Sequence, residues 1–102
     1  MMEQPKHIEL KKRAEIALSS LPKHVSKKFD KLMSIMIEDI QILSKQGKIY
    51  KLNVPFGDNQ NIFVLQIDIR LRALVEIKDS IAIIADIVDH DSMRRFFNNQ
   101  TH

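Results

Sequence analysis

The chain has no cysteine and no tryptophan, and its 102 residues include only two glycines and three prolines. Without a thiol, neither a stabilising disulfide nor thiolate chemistry is open to it. Gly47 and Gly57 are too few and too far apart to build a loop that cradles phosphate, and no serine stands in a nucleophile elbow. No apolar run approaches the roughly 18 residues of a membrane span, and the stretch MMEQPKHIEL lacks the apolar centre of a signal peptide. The expected setting is therefore cytoplasmic and reducing, with no membrane contact. Repeats, low-complexity tracts and linkers are also missing. The cluster Asp86, Asp89, His90, Asp91 has metal-ligand residue types. On a strand, however, positions 86 and 89 point to opposite faces, so no metal site is expected there.

What is present is an ordinary globular balance, 44% hydrophobic and 28% charged, enough for one domain over residues 1–102 that buries its own core. The net charge of +3 is unevenly placed. Residues 1–51 carry eleven Lys or Arg against six Asp or Glu, and residues 52–102 carry five against seven. A basic N-terminal half suits nucleic acid or an acidic protein partner, although most of these lysines read as the solvated face of amphipathic helices.

Hydrophobic periodicity lays out the elements. From Phe63 to Ile77 every second residue is apolar, the pattern of a half-buried strand. One strand of that length would be too long for this domain, so the run is predicted to fold back near Asp68 to Arg70 and to form two strands. Lys78-Asp79-Ser80 makes a second turn into Ile81 to Val88, apolar on both faces and so read as a central strand, and KIYKLNV at 48–54 adds another. Upstream, Leu10, Ala14, Ala17, Leu18 and Leu21 share one helical stripe, with His7 to Leu10 either its first turn or a short edge strand. Ser20 and Pro22 then open a second helix. Val25, Phe29, Leu32, Met36, Ile40 and Leu43 recur at helical spacing, and Gly47 caps its end. Residues 1–6 and 98–102 read as mobile ends, and Met93 to Phe97 as a short turn. Leu65, Ile67, Val75, Ile83 and Ile87 are expected to pack on Phe29, Leu32, Met36 and Ile40.

The polar positions between these apolar ones suggest chemistry. Arg72 on the exposed sheet face, Lys48 and Lys51 on the preceding strand, and His90, Arg94 and Arg95 past the last strand could surround one concavity. Cleaving an RNA phosphodiester requires deprotonation of the 2′-hydroxyl, neutralisation of the pentavalent phosphate and protonation of the leaving oxygen. Lys and Arg suit the second task and a histidine the first or third. Taken singly, each residue reads equally as a surface charge.

The order of elements resembles the RelE/ParE superfamily of toxins from bacterial type II toxin–antitoxin systems. The resemblance runs from about Ile8 to Phe97, through the AEIALSSLPKHVSKKFDKLM helix pair, the KIYKLNV strand, the LRALVEIKDSIAIIADIVDH hairpin and a basic-aromatic C-terminal motif. It implies an α+β fold in which an antiparallel helix pair covers one face of a twisted antiparallel sheet of about four strands. It also implies a small acidic antitoxin as partner, and no cofactor. Ribosome-dependent members cut messenger RNA without metal, so the resemblance assigns catalysis to Arg72, Lys51 and His90, and RNA binding to Lys48, Arg70, Arg94, Arg95 and Phe97. The sequence PFGDNQN lengthens the loop after residue 54 and leaves Lys48 and Lys51 as alternatives for the basic position. Phe96 and Phe97 stand where nucleases of the family often have a tyrosine; a base can still stack there, but no phenol can donate a proton. ParE-type members, which poison DNA gyrase, share the fold without that nuclease set, and an inactive remnant or a plain interaction domain would look alike in sequence.

Overall fold

The computed structural model describes residues 2–52 and 61–92. Its elements are β1 (His7–Leu10), α1 (Lys12–Ser19), α2 (Lys23–Lys45), β2 (Ile49–Lys51), β3 (Ile62–Gln66), β4 (Leu71–Lys78) and β5 (Ile81–Asp89). The fold is α+β: the five strands form one sheet in the order β1-β5-β4-β3-β2, antiparallel except where β1 runs parallel to β5. His7 to Leu10 is thus an edge strand, which brings the sheet to five strands and starts the first helix at Lys12.

Alternation sorts the sheet into two faces. Phe63, Leu65, Ala73, Val75, Ile77, Ala82, Ile84 and Ile87 are buried in one cluster with Ala14 of α1 and with Val25, Phe29, Leu32, Met36, Ile40 and Leu43 of α2. These six are the helical stripe read from the sequence. Expected core residues Leu65, Ile67, Val75 and Ile87 are buried, but Ile83 is not. A β-bulge explains the change of phase. Leu74 pairs with Asp86 while Val75 pairs with Ile84, so Ala85 is extra and the inward residues of β5 become Ala82, Ile84 and Ile87.

The second helix ends as Gly47 suggested. With φ of 70° at Gly47, Lys48 N–H reaches Leu43 O at 2.9 Å and Gly47 N–H reaches Ser44 O at 3.0 Å, the paired bonds of a Schellman motif. Its start differs from expectation: Pro22 occupies the N-cap position, and Ser20 Oγ donates back to Ile16 O instead of capping. Inside α2, Asp39 leaves helical geometry (φ −164°, ψ 97°). The side-chain amide of Gln4 fills the break. Its Oε1 accepts from Ile40 N–H at 2.9 Å, and its Nε2 donates to Met36 O at 2.8 Å and Ile37 O at 2.9 Å. Asp39 Oδ1 then accepts from Gln41 N–H and caps the final turns.

The first residues are therefore docked rather than frayed. Pro5 is fully buried, Met2 O accepts from Gln41 Nε2, and Glu3 accepts from the Ser80 N–H. Lys6 N–H adds a 2.7 Å bond to Ser80 O. These contacts hold the β4–β5 turn, where Asp79 and Ser80 both have positive φ, as a two-residue type I′ hairpin requires. Residues 98–102 and the expected turn at 93–97 lie outside the described residues.

Candidate basic site at the β3–β4 turn

The chain folds back between β3 and β4 where the sequence suggested, and two side chains build the turn. Asp68 Oδ1 accepts from both Arg70 N–H and Leu71 N–H at 2.8 Å, and Arg72 Nη1 donates to the carbonyls of Asp68 (2.7 Å), Leu71 (3.1 Å) and Ile69 (3.3 Å). Burial of the turn disfavours the Asp68 carboxylate. The Leu71 and Arg70 N–H groups, with the charges of Lys28 and Arg72, outweigh that effect and hold its pKa below the usual carboxylate value.

Arg72 was expected on an exposed face, but it is only 9% exposed. Its strand neighbours are Gln66 on β3 and Val88 on β5. Among the described residues, Nε and Nη2 find no acceptor.

Register places the other candidates. Gln66 N–H donates to Lys48 O at 2.8 Å, Gln66 pairs with Arg72, and Arg72 pairs with Val88. Lys48 and Arg72 thus share one row across the sheet. One step beyond the Leu71–Asp89 pair, His90 N–H donates to Arg70 O at 2.7 Å, which brings Arg70 and His90 to the same end. His90 opens a helical turn, and its Nδ1 is buried and finds no hydrogen-bond partner among the described residues.

Lys51 is not part of this set. It pairs with Phe63, whose partner is Val75, so it stands on a row of helix-facing residues further along β3. Arg94, Arg95 and Phe97 lie outside the described residues. Sequence reasoning missed Lys28 and Lys31 of α2, which line a concavity of about 260 Å³ with Lys48 and Ile67 at this end of the sheet. They were indistinguishable from the other lysines of an amphipathic helix. Among the described residues, no three His, Cys, Asp or Glu side chains gather as metal ligands, and no helix is long and apolar enough to cross a membrane.

Solved structures share this architecture. The Escherichia coli DinJ–YafQ toxin–antitoxin complex superposes with a TM-score of 0.68 at 14% identity, covering 89% of this chain and 98% of that one. The RelE–RelB complex of Pyrococcus horikoshii gives 0.65 at 18% identity, over 85% and 96%. The chain has the RelE fold. The YoeB–YefM complex of Staphylococcus aureus extends the likeness, with a TM-score of 0.63, 21% identity and coverage of 81% and 94%. The sequence matches no protein-family model and no curated protein. At these identities the RelE fold is a likeness of backbone, and the residues at its site must be argued from this chain.

Proposed function

We propose that this protein is the toxin of a toxin–antitoxin pair and that it cleaves messenger RNA bound to the ribosome. The supporting observation is the strand register, which sets Lys48 and Arg72 on one row and Arg70 opposite His90 at one end of a RelE-type sheet. Lys48, on the Arg72 row, takes the basic position in preference to Lys51.

In this reading the 2′-hydroxyl attacks the adjacent phosphorus, the 5′-oxygen leaves, and a cyclic phosphate forms. Arg72, fixed by its own turn, supplies a positive charge that costs no reorganisation as the phosphate gains negative charge. Lys48 and Arg70 hold the flanking phosphates, a task this reading also gives to Arg94 and Arg95. His90 takes the 2′-proton or returns one to the leaving oxygen. Phe97 stacks a base. The partner is an antitoxin, as the toxin–antitoxin complexes of the same fold suggest; a small acidic one would suit this basic end.

Primer extension on ribosome-bound messenger RNA tests the proposal, with wild type beside Lys48→Ala, Lys51→Ala and His90→Gln. Cleavage by wild type, lost with the first and third variants and kept with Lys51→Ala, is the expected pattern. A second reading, a binding-only toxin of DNA gyrase, is favoured by one observation: Arg72 Nη1 is committed to its own turn. It predicts intact RNA and blocked supercoiling.

A further inference from the structure

At the tip of the β3–β4 turn, Ile69 is 84% exposed, more than any other large apolar side chain among the described residues. A lone exposed isoleucine is usually unremarkable. Its surroundings make this one different. Five hydrogen bonds immobilise the three residues around it, two accepted by Asp68 Oδ1 and three donated by Arg72 Nη1. The two side chains that flank Ile69 in sequence are spent differently: Asp68 is turned back on the turn and Arg70 is exposed. A turn has little need of a β-branched residue, and polar or glycine residues are the common choice. Here the chain spends a buried arginine and a capping aspartate to hold an apolar side chain out in water.

We infer that Ile69 is a base-contacting wedge: it inserts against the face of an unpaired base in the RNA substrate, while Arg70 and Lys48 engage the phosphates on either side. The assignment rests on the RNA-cleavage reading above. Charge decides between RNA and a protein surface as the occupant. Lys28 and Arg72 act electrostatically on Asp68 in the turn, Lys28 shares a concavity with Lys48, and Arg70 follows Ile69 and is exposed. The carboxylate within the turn, Asp68, is already engaged by backbone N–H groups. Apolar wedges of Ile, Leu or Met flanked by basic residues are a recurrent way of separating stacked bases. A rigid mount suits that task, because a wedge that yields cannot unstack a base. The contact would fix which nucleotide sits against His90 and so set the cutting position.

The test uses the full-length protein with ribosomes carrying either cleavable messenger RNA or one blocked by 2′-O-methyl groups. Ile69→Ala is expected to weaken binding to the blocked complex about tenfold, the size of one lost base contact, and to blur the cutting position. Ile69→Leu is expected to restore both, and the circular dichroism spectra of all three proteins should coincide because the side chain is already in solvent. Wild-type cleavage with an unchanged Ile69→Ala variant would overturn the wedge and leave the nuclease reading intact. A wild type that neither binds nor cuts the RNA would overturn both.

Discussion

Arg72 Nη1 donates to the carbonyl oxygen of Asp68 at 2.7 Å, and the Asp68 carboxylate in turn caps the two N–H groups that precede Arg72. The two residues close the β3–β4 turn from opposite sides. The arginine proposed to stabilise a phosphate is therefore also part of the fold.

Arg72→Ala is accordingly expected to destabilise the protein as well as silence it. Loss of charge-assisted bonds to three carbonyls should cost about 1.5 to 3 kcal/mol in urea denaturation. Arg72→Lys, which keeps the charge but not the planar fork, should recover part of that loss. A cost below about 0.5 kcal/mol would mean that the turn holds without its arginine.

Asp68 makes the same turn sensitive to acid. Its folded pKa lies below the unfolded value of about 3.9, so the stability it contributes is present above about pH 4 and is lost as pH falls from there through the lower folded value. Thermal melts from pH 5 to pH 2 should show a steeper loss for wild type than for Asp68→Asn, which keeps an oxygen acceptor but does not titrate. Parallel curves would contradict the assignment.

The bulge at Ala85 makes neighbouring isoleucines unequal. Ile84 is fully buried against the helices, and Ile84→Ala should cost about 2 to 5 kcal/mol. Ile83→Ala, on the opposite and partly exposed face, should cost much less. Equal losses in denaturant would place the phase change elsewhere.

Gln4 gives a fourth prediction. Gln4→Ala would leave Ile40 N–H and the Met36 carbonyl without partners inside a packed helix, a loss of about 1 to 3 kcal/mol. Gln4→Glu should be nearly as harmful, since a carboxylate cannot donate to Met36 O or Ile37 O. Faster hydrogen exchange at Ile40 in both variants is the accompanying signature.

These residues mark where the sequence was legible. The α2 stripe from Val25 to Leu43, the reversal at Asp68 to Arg70 and the Gly47 cap all follow from local rules, namely helical period, alternation and positive φ. What escaped depends on partners distant in the chain. Gln4 acts on a helix 36 residues away, and the choice between edge strand and helical turn at His7 to Leu10, left open by the sequence, is decided by pairing with β5; neither leaves a periodic trace. The extra residue at Ala85 is invisible in a strand that is apolar on both faces, so Ile83 was assigned inward.

The sequence named the candidate residues but not their arrangement. Arg72, His90, Lys48, Arg70 and Lys51 were all named from residue type, position and resemblance. Only register shows that Lys48 shares the Arg72 row, that Arg70 and His90 meet across β4 and β5, and that Lys51 stands on another row. Alternation counts which face a residue takes, but whether Lys48 or Lys51 falls on the Arg72 row depends on the pairing offset between β2 and β3, which sequence pattern does not encode. Nor could alternation show that the Arg72 guanidinium bends back onto its own turn.

The most direct test of the whole account is primer extension on ribosome-bound messenger RNA, with Lys48→Ala and His90→Gln beside wild type and gyrase supercoiling measured in parallel. Discrete cuts by wild type, reduced about 100- to 1000-fold in rate when a stabilising or proton-transferring group is removed, with supercoiling untouched, is the predicted result. Uncut RNA together with blocked supercoiling would contradict it and make this RelE-fold protein a gyrase poison.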